Sequence, residues 1–462
     1  MDLLELRHRK CQKDLMVSVV NPATERKVMS RLTLESKHTC VIGAGFSGLA
    51  AARYLQEYGV NFTVYEASRH IGGTWRFDPH VGTDEDGLPL FTSMYKNLRT
   101  NTPRHTMEFA GFKFPDDTPS YPSGDCFYNY LKNFVKYFDL MKYIQFRSLV
   151  TRVKWAGGHW NVTYTKTEDR NSYTVACDFV IVASGQYSKP VRPKFEAEEL
   201  FKGNIIHSHD YKDAETFRDR KVLLVGAGAS GLDLATQLVD VTTKLVHSHH
   251  LVYNQPNFPS NYVKKPDIES FTSDGVVFQD GSFEDVDDVI MCTGYEYNYS
   301  FLDESTGLKV SGKYVLPLHQ HIINIRHPNM AFIGILKQAI TRVMDAQAQY
   351  AAGLVKGIFE LPPQETMLKT WLDYVRSLRA RHLRIKDVHY IADVMDNYCA
   401  NLTREGGVIR APPVLTEMQN FNAKIRLDDL LNYRDYDYEI LDDYHYDRKY
   451  NPRPQNVCPV QQ

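Results

Sequence analysis

The sequence has no run approaching the roughly 20 uncharged apolar residues that a membrane-spanning helix needs. Neither sign of charge dominates: 54 Lys and Arg stand against 56 Asp and Glu, a formal net charge of −2. That balance excludes a protein held to nucleic acid by bulk charge. Cysteine is sparse, and its seven positions (Cys11, Cys40, Cys126, Cys177, Cys292, Cys399 and Cys458) include no CxxC pair and no zinc-ligand spacing. Dithiol redox chemistry and a structural zinc are therefore excluded. The odd number and wide scatter predict no disulfide framework and suit a reducing compartment. No motif for a nucleophilic triad or a carboxylate pair is found. What is present is ordinary globular material, 462 residues with 43% hydrophobic and 24% charged, enough for two or three domains.

Residues 1–37 form a basic extension that includes Arg7, Arg9, Lys10 and Lys13. It lacks the apolar stretch of a secretory signal, and its acids (Asp2, Glu5, Asp14) argue against a transit peptide. From His38 the pattern changes. Thr39–Ile42 reads as a short buried strand, Gly43-Ala44-Gly45-Phe46-Ser47-Gly48 as a turn, and Leu49–Tyr58 as a helix closed by Gly59. Asn61–Tyr65 is a second strand ending on Glu66. The same unit recurs: strand Val222–Val225, turn Gly226-Ala227-Gly228-Ala229-Ser230-Gly231, helix from Leu232, strand Lys244–Ser248. Two acid-led apolar runs, Asp178–Gly185 and Asp288–Gly294, bracket the second unit.

A GxGxxG turn has a mechanical purpose. Its first Gly permits the tight strand-to-helix turn, its second lets backbone approach a pyrophosphate, and its third lets helix and strand pack closely. The helix N-terminus adds free N–H groups and a positive dipole end. Both copies follow a strand, open a helix and are completed by another strand, which is the confirming context. The predicted fold is α/β, with two Rossmann-like dinucleotide-binding domains, one inserted into the other. The expected boundaries are an extension over 1–37, a first domain over 38–191 and 288–431, an inserted domain over 192–287, and a Tyr/Asp-rich tail over 432–462. The tail is either solvated or packed as an aromatic strip.

The residue closing the second strand discriminates ligands. Glu66 can accept hydrogen bonds from a ribose 2′-OH and would repel a 2′-phosphate, so the first site suits FAD or NAD. The same spacing from Gly226 lands on His249, within Ser248-His249-His250. A hydroxyl and imidazoles can meet a 2′-phosphate, which favours NADP; the alternative is a surface cap on the strand. Ile71-Gly72-Gly73-Thr74-Trp75 follows Glu66. Its glycines permit a second close backbone approach, and Trp75 can cover a flavin's apolar surface. The candidate FAD residues are therefore Gly43, Gly45, Ser47, Gly48, Glu66, Gly73, Thr74 and Trp75. The candidate NADPH residues are Gly226, Gly228, Ser230, Gly231, Ser248 and His249.

Over residues 38–430 the sequence resembles the flavin-containing monooxygenases, class B flavoproteins that oxygenate nitrogen and sulfur. Phe201–Tyr211 (FKGNIIHSHDY) fits the family pattern FxGxxxHxxx(Y/F), with His207 and Tyr211 as its landmarks. No Trp-Pro follows His207, which sets it apart from the Baeyer–Villiger group. Cys292-Thr293-Gly294-Tyr295 resembles the family's ATGY strand end. Thr100-Asn101-Thr102-Pro103 resembles the segment that supplies an asparagine beside the flavin, and Asp345-Ala346-Gln347-Ala348 resembles the one returning to FAD. Two departures stand out: Arg342 where relatives often carry Pro, and His249-His250 where many place an arginine.

The resemblance implies NADPH- and O₂-dependent oxygenation of soft nitrogen or sulfur in small molecules, through a C4a-hydroperoxyflavin. Asn101 would offer its amide to the flavin edge, Gln347 would contact FAD, and His207 and Tyr211 would organise the linker and bound NADP. Asn101 could instead cap a turn, and His207 could be structural. Rival readings are an N-hydroxylating or Baeyer–Villiger enzyme and a non-enzymatic nucleotide sensor. NADH also stays open at the second site. The expected partners are an amine or thioether substrate and O₂, with no nucleic acid, no integral membrane segment and room for a homodimer. The expected location is the cytoplasm or, peripherally, the endoplasmic reticulum surface.

Overall fold

A computed structural model describes residues 37–452 and residue 458; the basic extension lies outside them. The chain begins with β1 (His38–Ile42), α1 (Phe46–Glu57) and β2 (Asn61–Tyr65). After α2 (Gly124–Tyr137) come the short β3 (Ile144–Gln145), then β4 (Ser148–Trp155), β5 (Trp160–Lys166) and β6 (Ser172–Cys177), then β7 (Phe179–Val182). The second unit runs through β8 (Asn204–His207), β9 (Lys221–Val225), α3 (Ala229–Leu238), β10 (Lys244–Ser248), β11 (Tyr262–Lys265) and β12 (Asp288–Met291). The chain continues through β13 (Leu318–His319), β14 (Ile323–Asn324) and β15 (Met330–Phe332). It closes with helices α4 (Thr341–Lys356), α5 (Gln364–Ala380), α6 (Met395–Gly406) and α7 (Pro413–Asp428), and the hairpin β16 (Tyr436–Ile440) and β17 (Tyr446–Tyr450).

Among the described residues the first sheet has seven strands in the order β13-β14-β15-β7-β1-β2-β3, and the second has five in the order β11-β10-β9-β12-β8. In each, the strand before the glycine turn lies in parallel register between two partners: β1 between β2 and β7, β9 between β10 and β12. The helix after each turn packs small residues on its sheet; Ala50, Ala51 and Ala52 of α1 are fully buried. No Cβ-branched run interrupts that face, so helix and strand can approach closely.

Two expectations need revision, and a third point, left open by the sequence, is decided. The strand at 288–291 was expected to begin the return to the first domain, but β12 pairs with β9 and β8 in the second sheet. The two acid-led runs look alike because each supplies the same neighbour, β7 beside β1 and β12 beside β9. The tail is packed: Tyr433 and Tyr438 are buried, and both rings meet Tyr121 edge-on.

The other revision concerns cysteine. Cys40 pairs with Cys177 and Cys126 with Cys458, across Cα distances of 5.9 and 5.3 Å. Local spacing could not reveal pairs separated by 137 and 332 residues; strand adjacency and chain return bring them together. Cys292 and Cys399 are free and buried, and Cys11 lies outside the described residues. No helix among the described residues is long and apolar enough to cross a membrane.

Candidate functional site

Gly43 sits at φ +100°, and a Cβ there would lie 2.7 Å from the Ala183 carbonyl oxygen at the end of β7. Gly226 repeats this at φ +98°, with 2.8 Å to the Cys292 carbonyl oxygen. A Cβ on Gly48 would come within 1.8 Å of the Gly43 oxygen, and one on Gly231 within 1.9 Å of the Gly226 oxygen. Both turns therefore bend the backbone where only glycine fits. The middle glycines differ. Gly228 has open space where a Cβ would stand, whereas Gly45 faces Gly73, whose own Cβ would meet the Gly45 Cα at 3.1 Å. Gly72 holds this crossing in place by donating its N–H to the Ala44 carbonyl at 2.9 Å.

Glu66 closes the first turn. Its carboxylate is buried and accepts N–H groups from Ala44 at 2.7 Å and Ser68 at 2.9 Å, plus the Ser68 hydroxyl at 2.9 Å. Burial raises its pKa, and the hydrogen bonds from Ser68 and Ala44 oppose that rise. Ser47, partly exposed on the first turn of α1, touches Met344 Sδ at 3.8 Å, so the N-terminal turns of α1 and α4 lie side by side. Thr74 Oγ1 lies 3.3 Å from Ser93 Oγ, and Trp75 stacks on Phe127 at 4.1 Å.

Gln347 is fully buried. Its amide accepts the Gly334 N–H at 3.1 Å and donates to Tyr398 Oη at 2.8 Å. Both ends of the amide are engaged by protein, and the side chain braces the start of α4. Arg342, the departure noted above, is the ion-pair partner of fully buried Asp345. Asp345 also accepts from Tyr54 Oη at 3.1 Å and the Ala110 N–H at 3.0 Å.

At the second turn, Gly228 and Ala229 are exposed and Ser230 is partly so, leaving the α3 N-terminus open. Ser248 is buried and its hydroxyl donates to the Pro266 carbonyl at 2.7 Å. His249 is buried, with Nδ1 accepting the Leu251 N–H at 3.1 Å. Burial, helped by Lys264, lowers its pKa to about 4, so it is neutral at pH 7. Lys264 on β11 is the cation beside it, one that the search for a nearby arginine missed, whereas the Lys265 ammonium is turned to Glu284 at 2.8 Å. The signal was one strand further on. His247 donates from Nε2 to the Gly226 carbonyl at 3.0 Å and accepts from Tyr262 Oη at 3.0 Å, clipping the turn to its sheet.

In the linker, His207 is buried, accepts the His209 N–H on Nδ1 at 3.1 Å and meets Tyr295 edge-on. Burial and His209 lower its pKa to about 4. Tyr211 is buried against Tyr95 and Phe217, and its hydroxyl donates to Gln237 Oε1 on α3 at 3.3 Å. Asn101 is half-buried; its carbonyl accepts Asn422 Nδ2 at 2.7 Å, while its side-chain amide makes no hydrogen bond among the described residues.

Two glycine cradles, one closed by a buried glutamate and one by a buried histidine with Lys264 near it, define an oxidoreductase that uses two nucleotide cofactors. The chain belongs to the flavin-binding monooxygenase-like family, which it matches over residues 36–251 and 259–425. It is 49% identical over 430 residues to senecionine N-oxygenase of Tyria jacobaeae, covering 92% of this chain and 94% of that one. It is 32% identical over 355 residues to trimethylamine monooxygenase of Roseovarius sp. (strain 217), covering 74% and 80%. The structure of S-allyl-L-cysteine S-oxygenase from Allium sativum superposes with a TM-score of 0.80 at 27% identity, covering 87% and 96%. The protein is accordingly a flavin-containing monooxygenase dependent on FAD and NADPH. The first cradle fits FAD, because its three backbone approaches are the ones a Cβ would block and its acid suits a ribose hydroxyl.

Proposed function

We propose that this monooxygenase oxygenates tertiary amine nitrogen in small molecules, with thioether sulfur as a second substrate class. The observation that carries this reading is the neutral Asn101 carboxamide, whose backbone is tied down while its side chain has no hydrogen-bond partner among the described residues. Bound FAD, reduced by NADPH, would supply the activation of O₂, which is the source of the transferred oxygen atom. The chain's own residues bind, orient and exclude water. Gly43, Gly45, Ser47, Gly48, Gly73 and the α1 N-terminus hold the flavin pyrophosphate, and Glu66 takes the ribose. Thr74 and Trp75 line the approach. Gly226, Gly228, Ser230 and Gly231 hold the second pyrophosphate. His249 with Lys264 meets the 2′-phosphate, and Ser248 supports the strand end. Asn101 donates a hydrogen bond at the flavin edge without adding charge. His207 and Tyr211 shape the linker.

The same reading divides the chain into an FAD domain over 38–191 and again after β12, with an NADP domain between. The relatives named for N-oxygenation favour an amine over a ketone. The two disulfides favour an oxidising compartment over the cytoplasm.

The test is to purify the protein and offer trimethylamine, a thioether and a cyclic ketone, following NADPH and O₂ consumption with product. Yellow protein that forms N-oxide in step with NADPH oxidation is expected. Colourless protein without FAD uptake, or ester formation from the ketone alone, would overturn the reading.

A further inference from the structure

We propose that Arg434 and Asn422 are positioning residues for oxygenation, holding Asn101 by its main chain; this rests on the role given to Asn101 above. Three successive carbonyls accept from C-terminal side chains. Arg434 Nη2 donates to the Arg99 oxygen at 3.2 Å, Arg434 Nε to the Thr100 oxygen at 3.0 Å, and Asn422 Nδ2 to the Asn101 oxygen at 2.7 Å. Among the described residues the segment touches neighbouring backbone only through an isolated bridge from Arg99 to Ser123 and the Thr100 N–H to the Pro122 carbonyl, so these three carbonyls take side-chain donors. Arg99 reciprocates, donating from Nη2 to the Arg434 carbonyl at 3.1 Å. Asn422 is itself oriented by the Tyr121 hydroxyl, which donates to its Oδ1 at 2.7 Å.

The third guanidinium nitrogen reaches elsewhere. Arg434 Nη1 lies 2.6 Å from Asp233 Oδ1 on α3, two residues beyond the last glycine of the second turn. The other oxygen, Asp233 Oδ2, accepts from Tyr95 Oη at 2.6 Å and Gln237 Nε2 at 3.3 Å. Gln237 in turn accepts from Tyr211. One planar fork therefore joins the Asn101 loop to the helix of the NADP cradle and to the linker tyrosine. Lysine carries the charge but not the fork. The consequence is that the amide's placement is coupled to the second dinucleotide helix.

Arg434→Lys, Asn422→Ala, Asn101→Ala and the double variant Asn101→Ala/Asn422→Ala test this. Arg434→Lys keeps a cation for Asp233, and Asn422→Ala leaves no charge unpaired, so both are expected to fold and retain FAD. In FAD-free protein, hydrogen exchange of the peptide spanning residues 96–104 should accelerate in both relative to the wild type. In holoenzyme, product formed per NADPH should fall about tenfold as peroxide rises, and the double variant should be no worse than Asn101→Ala alone. Unchanged exchange and coupling in Arg434→Lys and Asn422→Ala, with Asn101→Ala uncoupled, would overturn the proposal. An additive double variant would overturn it as well. Full coupling in Asn101→Ala would instead overturn the role of Asn101 itself.

Discussion

The Glu66 carboxylate accepts the Ala44 amide at 2.7 Å, binding the end of β2 to the first glycine turn. The corresponding place in the second unit holds neutral His249 with Lys264 beside it. Two turns with nearly the same walls at their first and third glycines thus differ in the polar residue that closes them.

Glu66→Ala should weaken FAD binding by about 10- to 100-fold, the loss of one charge-assisted hydrogen bond at ~1.5–3 kcal/mol. Titrating flavin into the stripped protein measures it. NADPH binding at the second cradle should change little.

Gly228→Ala and Gly231→Ala make a matched pair. A Cβ at Gly228 meets nothing within 4 Å, whereas one at Gly231 would press within 1.9 Å of the Gly226 oxygen. Gly228→Ala should fold with unaltered FAD content and a raised KM for NADPH, because the methyl group stands where the pyrophosphate approaches. Gly231→Ala should be recovered poorly or lack its second domain's stability in thermal unfolding.

Stability should fall on acidification through the histidines. His247, His249 and His207 are held neutral in the fold, at about 3, 4 and 4, against about 6.5 in the unfolded chain. The unfolded chain binds protons first, so their contribution is complete above pH 6.5 and is lost as the pH drops towards 4. Burial raises the Glu66 and Asp345 carboxyls, which act in the opposite sense. Comparing Tm between pH 7.5 and 5 in wild type and His247→Gln isolates the imidazole: the variant should be less stable at pH 7.5 and show the shallower decline.

Reduction should release four thiols. Alkylation of denatured, unreduced protein should leave Cys40, Cys126, Cys177 and Cys458 unlabelled, and dithiothreitol should expose all four with a drop in Tm. Each bridge is expected to contribute ~2–4 kcal/mol.

Much of the architecture was legible because its determinants are local. The glycine turns, Glu66 and the flanking strands each lie within some 30 residues, and the mechanical need for glycine at Gly43, Gly48, Gly226 and Gly231 is written in the spacing. The acid-led strand at 288–291 was visible but misassigned, since its likeness to 178–185 reports equivalent places in two sheets rather than one shared sheet. What sequence missed is non-local. Lys264 reaches His249 only through strand pairing, Gln347 turns inward to Gly334 and Tyr398, and Arg342 answers a buried Asp345. The cysteine pairs are joined by chain return, which no spacing rule anticipates.

The anchors of the Asn101 loop lie 321 and 334 residues downstream, at Asn422 and Arg434. On the ribosome, both glycine turns and their sheets are complete long before those side chains emerge. Asn422 and Arg434 are thus made more than 300 residues after the carbonyls they hold, and that loop gains its side-chain partners only when the chain has returned to it.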